Sequence, residues 1–425
     1  MNRRTFLAAC PAFALASCSR AEHANVEGSG APDKLEVGAT DWPWWRGPTR
    51  DGTAPEQKLP LEWDAKKNVL WEAPVPGRWH GSVCAVGDKL FLCTADEKEQ
   101  TQGVLCLERA TGKQLWHTEV HKGNFMKGSN TKSSHASATP ACDGKHVFVN
   151  FANDNAIVAT ALTLDGKQAW RTKVCAYTLH QGYGASPAVY GSLVLVAGDN
   201  KGGCAVSGLD RATGKVVWSR ARPKQPNYCS PILLNANGKD QLFLIGCDLV
   251  TSLDPLTGKE NWELKGATTE CVTSTVTDGK HIYTSGGYPK NHVSAVKVDG
   301  SGVAWENKSR VYVPSMLYRD GHLYAVLDAG TAMCWKSDTG AKVWEGALNG
   351  TFSSSPVMVG DHIFATNEVG RTFVFKATPK EFDQVADNKL GDECFATPTP
   401  AGGKFFARVA VKTAGARQEK VVCIG

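Results

Sequence analysis

The sequence predicts an all-β chain closed into an eight-bladed β-propeller, each blade a four-stranded antiparallel sheet. The first observation behind this is a recurring phrase. It runs Arg109-Ala110-Thr111-Gly112-Lys113-Gln114-Leu115-Trp116 and again Arg211-Ala212-Thr213-Gly214-Lys215-Val216-Val217-Trp218. It returns from Thr257 to Trp262 and from Thr339 to Trp344, with looser copies from Asp165 to Trp170 and from Asp299 to Trp305. Apolar alternating runs such as Leu90-Phe91-Leu92 and Leu242-Phe243-Leu244 precede the copies. A period of roughly 40–50 residues with several short strands per unit marks a propeller. The second observation is a count of outer strands: Trp71, Trp116, Trp170, Trp218, Trp262, Trp305 and Trp344, plus one without Trp near Val385. The third is an independent count of inner strands, each opened by Ser or Thr: Ser82, Thr139, Ser186, Ser230, Ser274, Ser315, Ser355 and Thr397. Both counts give eight, with seven as the alternative.

The phrase has a local cause. Thr-Gly or Asp-Gly makes a tight turn because Gly accepts positive φ without steric cost. Asp210 and Asp254 end the preceding strands, where a carboxylate accepts hydrogen bonds from turn amides. The Trp that follows opens the outer strand and fills the wedge between neighbouring blades.

Taken in order, the chain opens on an export signal over residues 1–18. Arg3-Arg4 before Phe6-Leu7 resembles a twin-arginine signal, and Leu15-Ala16-Ser17-Cys18 resembles a lipobox with Cys18 as the lipidated residue. Residues 19–40 are polar and read as a tether. Residues 41–68 form a Trp-rich extension, Asp41-Trp42-Pro43-Trp44-Trp45-Arg46-Gly47-Pro48, expected to pack over the side or base of the propeller; an exposed aromatic ligand patch is the other reading. The propeller spans 69–425. Val69-Leu70-Trp71-Glu72 looks like an outer strand lacking its three inner ones, and the C-terminus has three strands lacking an outer one, so the two ends are expected to share the last blade.

The 14 Cys are spread through strand-like runs without a CxxC or an adjacent pair, which favours small buried thiols over metal ligands. An exported protein also permits disulfides, whose pairing the sequence leaves open. The net charge of +5 is dispersed, so no nucleic-acid partner is expected. A single propeller is expected to be monomeric.

Strands alternate direction, so the Thr-Gly-Lys turns share one face. The loops from each outer strand to the next inner strand share the other, around the channel mouth. The ligand-binding candidates there are Arg78, Trp79, His80, His135, Tyr183, Tyr228, Arg310, Tyr312 and Phe352. Cations and aromatics together suit an acidic polymer, a glycan or an extended peptide. His80, His135 and His180 lie on neighbouring blades, but no metal is expected.

Leu209-Asp210 to Trp218, together with the Ser-Pro inner strands, resembles the pyrroloquinoline-quinone (PQQ) repeat from about Trp42 to Ile424. That repeat occurs in quinoprotein alcohol dehydrogenases and in non-enzymatic outer-membrane-assembly lipoproteins of the BamB type. The dehydrogenases carry an adjacent Cys pair and a calcium set of Glu, Asn and Asp, neither of which can be placed here. The departure from the BamB type is milder, with a longer tether and extra loop length from Glu119 to His135. The resemblance therefore implies a lipid-anchored scaffold of the periplasm or outer membrane that binds an envelope protein or polymer, without catalytic residues or cofactor. A PQQ- and calcium-dependent periplasmic oxidoreductase is the alternative, and a carbohydrate-binding or polysaccharide-degrading propeller the second.

Overall fold

Thirty-three short strands, the middle ones of each blade buried along most of their length and the outer ones alternating, make eight blades in a computed structural model that describes residues 35–413 and 416–425. The signal, the lipobox and most of the tether, residues 1–34, lie outside the described residues. Blade 1 runs Cys84–Val86, Lys89–Asp96, Thr101–Glu108 and Gln114–Lys122 from the channel outward. Blades 2 to 7 repeat this order, beginning at Ala141, Ala188, Ile232, Val276, Leu317 and Val357. Blade 8 takes Thr399–Ala401, Lys404–Thr413 and Ala416–Ile424 from the C-terminus and Val69–Val75 from the N-terminus. Val69 pairs with Ile424 and Val75 with Glu419, so the expected shared blade is present.

The recurring Trp is the bond between blades. Trp116, Trp170, Trp218, Trp262 and Trp305 each donate Nε1–H to a carbonyl of the following blade, at 2.8–3.2 Å. Each indole also lies flat on the Gly of the next turn: Trp170 on Gly214, Trp218 on Gly258. At Gly214 φ is +72°, and a Cβ would meet the Trp170 ring at 2.5 Å. That glycine is therefore required twice, once by the backbone and once by the neighbouring blade. Blade 7 has no Thr-Gly turn; there Phe382 packs on Trp344, with ring centroids 5.6 Å apart. The turn carboxylates act as expected, Asp210 accepting from Thr213 N–H at 2.8 Å and Asp254 from Thr257 N–H at 2.9 Å.

The Ser/Thr signature has a matching role at the channel. Among the described residues, six inner-strand amides donate to the hydroxyl of the next blade, each at 2.9 Å. They are Ser82 to Thr139, Thr139 to Ser186, Ser186 to Ser230, Ser274 to Ser315, Ser315 to Ser355 and Ser355 to Thr397. Thr399 Oγ1 donates to Val83 O at 2.8 Å and joins blade 8 to blade 1.

The Trp-rich extension closes the channel on the face of the Thr-Gly-Lys turns. Asp41 accepts from Gly87 N–H at 3.1 Å and pairs with Arg109 at 3.2 Å, which fixes the point of entry. The stretch read as tether already touches the propeller at its end, where Glu36 N–H donates to Asp143 O at 2.9 Å. Trp42 then bridges to Ala85, Arg50 donates to Val189 O at 2.6 Å, and Trp45 Nε1–H donates to Ser274 Oγ at 2.7 Å. Arg46 is fully buried and donates to Asp51 O, Met316 O and Pro356 O at 2.5–3.0 Å. Thr53–Ala54 pairs in parallel with blade 7, an added fifth strand that the sequence did not announce. Trp42 and Trp44 are buried, so they form no exposed aromatic patch.

Cys84, Cys93, Cys106, Cys142, Cys334, Cys394 and Cys423 are buried within or beside the blades as thiols. Burial pushes Cys106, Cys142, Cys334 and Cys394 up to about 12 and Cys423 to about 11, so they remain protonated and inert.

A candidate ligand well at the channel mouth

Because the extension closes one end, the channel becomes a well of about 450 Å³ open at the mouth. This lies in the range of about 300–1,000 Å³ typical of small-ligand sites. Trp45 lines its floor. Five members of the hydroxyl ring, Thr139, Ser186, Ser230, Ser355 and Thr397, line the wall. Above them stand His80, Tyr183, Tyr228, Tyr312 and Phe395, with Asn130, Lys132 and Gln181 at the rim.

Four of the nine residues expected at the mouth meet on this lining: His80, Tyr183, Tyr228 and Tyr312. The other five do not. Trp79 is fully buried beneath Arg408, whose guanidinium sits 5.1 Å from its ring. Phe352 is 1% exposed and packs on Phe373 within the core of blades 6 and 7. His135 stacks on Phe125 at 4.2 Å in an adjoining groove that it shares with Arg78. Arg310 lies over Tyr312 at 5.2 Å and donates to Gly287 O at 3.2 Å. His80, His135 and His180 do not converge, since His80 packs tilted on Phe395 with centroids 4.6 Å apart and His180 Nδ1 meets Tyr228 Oη at 2.9 Å. Among the described residues no group of His, Cys, Asp or Glu gathers in a metal-binding arrangement.

Several charges around the mouth are spent on one another, while Arg78 and Arg310 are held by the backbone carbonyls of Thr131 and Gly287. Lys132 Nζ contacts both carboxylate oxygens of Glu368 at 2.8 Å, and Ser353 Oγ donates to the same carboxylate at 2.6 Å. Arg222 is buried against Asp199 at 3.3 Å. Arg417 pairs with Glu393 at 2.6 Å and Glu419 at 2.7 Å. Glu270, buried behind the wall, accepts from Tyr312 Oη at 3.5 Å and lies 3.6 Å from His180 Nδ1. Burial, with Glu270 next in importance, pushes the Tyr228 and Tyr312 phenols up, so both remain neutral. The loop from 123 to 138 arches over part of the mouth, where Asn130 N–H donates to Gln181 O at 2.8 Å and Asn130 Nδ2 to Gln181 Oε1 at 3.0 Å.

Buried histidines, His80 and His121 foremost, make the fold acid-sensitive. Burial, then the nearby Arg408, Arg78 and Arg417, holds His80 well below its ordinary value. Burial, then Arg171, lowers His121 to about 4. The unfolded chain takes up these protons near pH 6.5, whereas the folded chain resists them. Stability is therefore expected to fall as pH drops from about 6.5 toward 4. Melting curves across that window check this: His121→Asn should flatten the slope, and an unchanged slope would refute the assignment.

Fold and site together define a PQQ-like repeat propeller. The sequence model of a family described as outer membrane protein assembly factor BamB matches residues 100–346 and 289–378, more than half of the chain. The chain belongs to that family. No curated protein sequence matches it. Among solved structures, BamB from Moraxella catarrhalis is 14% identical with a TM-score of 0.57, covering 83% of this chain and 96% of that one. A europium-containing methanol dehydrogenase is 12% identical with a TM-score of 0.67, covering 92% and 99%. Quinohemoprotein alcohol dehydrogenase from Comamonas testosteroni is 11% identical with a TM-score of 0.64, covering 90% and 80%. At these identities the likeness is one of fold.

Proposed function

We propose that this chain is a non-catalytic binding or assembly scaffold of the bacterial cell envelope, receiving a protein or polymer ligand at the channel mouth. The observation that carries the reading is the well itself: a closed floor, aromatic and hydroxyl walls, and a lining whose ammonium, Lys132, is already paired with Glu368. The family's printed description, an outer-membrane assembly factor, agrees with a scaffold.

The residues of the well do not fit the cofactor of the enzyme alternative. A planar quinone bearing several carboxylates needs free cations around it, because burying unpaired charge is costly. Lys132 is the ammonium on the described lining, and Glu368 already holds it. Arg310 is turned onto Tyr312 and a backbone carbonyl. The purified protein given PQQ and calcium is therefore expected to show no dye-linked oxidation of alcohols or sugars. A titration followed by quinone absorbance, with an activity assay beside it, tests this. Stoichiometric, calcium-dependent binding with turnover would overturn the scaffold reading.

The lipobox-like Leu15-Ala16-Ser17-Cys18 supports a membrane anchor for this scaffold. Cys18→Ala is expected to release the protein from membranes or stall its processing, because stable anchoring needs more than one acyl chain, each buried CH₂ contributing about 0.8 kcal/mol. Unchanged fractionation, with no lipid on the mature N-terminus, would remove the anchor from the proposal.

A further inference from the structure

The lining of the well specifies its occupant more closely than the scaffold reading requires. Consider charge first. Among the described residues the lining contains no carboxylate, and Lys132 is bonded to Glu368 through both oxygens. His80 is held neutral by burial. An anionic occupant would have to break the Lys132 pair, and a cationic one would find no counter-charge. The occupant is therefore neutral.

Polarity comes next. The ring hydroxyls Thr139, Ser186, Ser230, Ser355 and Thr397 each accept an amide N–H from the preceding blade or stand next in that chain of bonds. Their oxygens are engaged as acceptors, which leaves each O–H proton as a donor beside the well. At the rim Asn130 Nδ2 donates to Gln181 Oε1 and Asn130 Oδ1 accepts Lys132 N–H, which positions the Gln181 amide NH₂ as a further donor. A hydrocarbon would leave these groups unpaired, at a cost in binding. The rings of Trp45, Tyr228, Tyr312 and Phe395 on the lining call at the same time for an apolar surface with C–H groups. A pyranose ring is neutral, rich in acceptors around its edge and apolar on its faces.

Shape separates this from a peptide. The well has one opening, because Trp45 closes the floor and bonds to Ser274. An extended peptide entering a blind well leads with a terminus, which carries a charge that the lining does not match.

Resting on the reading of the mouth as a binding surface, we propose that the well is a saccharide subsite that takes a neutral sugar unit, stacked on the wall aromatics and hydrogen-bonded by the hydroxyl ring and the Asn130–Gln181 pair. The full chain is titrated with glucose, N-acetylglucosamine, cellobiose and chitobiose, by calorimetry and by tryptophan emission. Saturable binding of at least one is expected. Tyr312→Ala should weaken it about tenfold through lost stacking, and Asn130→Ala about threefold to tenfold because Gln181 loses the bond that positions its amide donor. Trp45→Phe should keep most of the affinity and lose the emission change, which places the sugar on the floor. Near-ultraviolet circular dichroism of each variant separates lost binding from lost folding. No saturation by any neutral sugar overturns the subsite, as does binding that Tyr312→Ala and Asn130→Ala, both folded, leave unchanged. A photo-crosslinker placed at Gln181 reports on the scaffold reading separately. A partner captured from native membranes in the absence of sugar binding sinks the subsite alone, whereas neither partner nor sugar sinks both.

Discussion

Deleting Val69–Val75 is expected to abolish stable folding and drive the chain into aggregates. This strand is the outer edge of blade 8, bonded along Ala416–Ile424 from Val69↔Ile424 to Val75↔Glu419. Without it, a strand of nine residues presents an unpaired edge, a template for intermolecular pairing. Trp71 leaves as well, removing an indole that lies on Gly112 of blade 1 and packs on Phe406 at 5.9 Å. Loss of a fully buried aromatic side chain costs about 3–5 kcal/mol; Trp71 is half-buried, so its share falls toward the lower end, still a sizeable part of the roughly 5–15 kcal/mol that separates folded from unfolded chains. Removing the salt bridge between Lys420 and Glu72 on the same strand by Glu72→Gln should change stability by about 0–1 kcal/mol, since the pair is partly solvated. Thermal melts and size-exclusion profiles measure both. A deletion variant that elutes as a monomer and melts with the parent would contradict the role assigned to the shared blade.

Arg46→Ala is expected to be the most damaging single substitution in the extension. The guanidinium is 1% exposed and donates to three carbonyls, two of them, Met316 O and Pro356 O, on blades 6 and 7. Burial lowers its pKa to about 10, still far above neutrality, so the group remains a cationic donor at neutral pH. Its removal leaves buried acceptors unpaired at about 1–3 kcal/mol each, for a total of about 3 kcal/mol or more. It also empties the space next to Gly52, where a Cβ would now meet the guanidinium at 2.4 Å. Arg46→Lys should recover only part of the loss, because one ammonium cannot reproduce a planar fork. Urea denaturation of the three proteins gives the ranking, and a neutral Arg46→Ala would show that the floor is held by its tryptophans alone.

Features that depend on near neighbours and on repetition from blade to blade were legible in the chain. The turn glycine, the Asp before it and the Trp after it lie within about ten residues, so they are legible as a phrase, and eight copies of inner and outer strands give the blade count. The shared last blade was legible too, since an unmatched outer strand and three unmatched inner ones have only one economical pairing. Tertiary structure alone decided what fills the channel. Trp45 meets Ser274 across 229 residues and Arg46 meets Pro356 across 310, contacts that no local pattern encodes. It also decided which mouth residues face the well. In extended backbone adjacent side chains point to opposite sides. His80 therefore reaches the well while Trp79 turns into the protein under Arg408. Tyr312 and Phe352 each stand three residues before a ring Ser, yet only Tyr312 lines the well; Phe352, with no hydroxyl to keep wet, packs into the core on Phe373. The rim cations were visible as residues, but their partners Glu368, Asp199 and Glu393 come from other segments. Charge in a sequence is a sum, whereas charge at a site depends on which opposite charges the fold brings within bonding distance, and that neutralisation is what only the assembled ring of blades could establish.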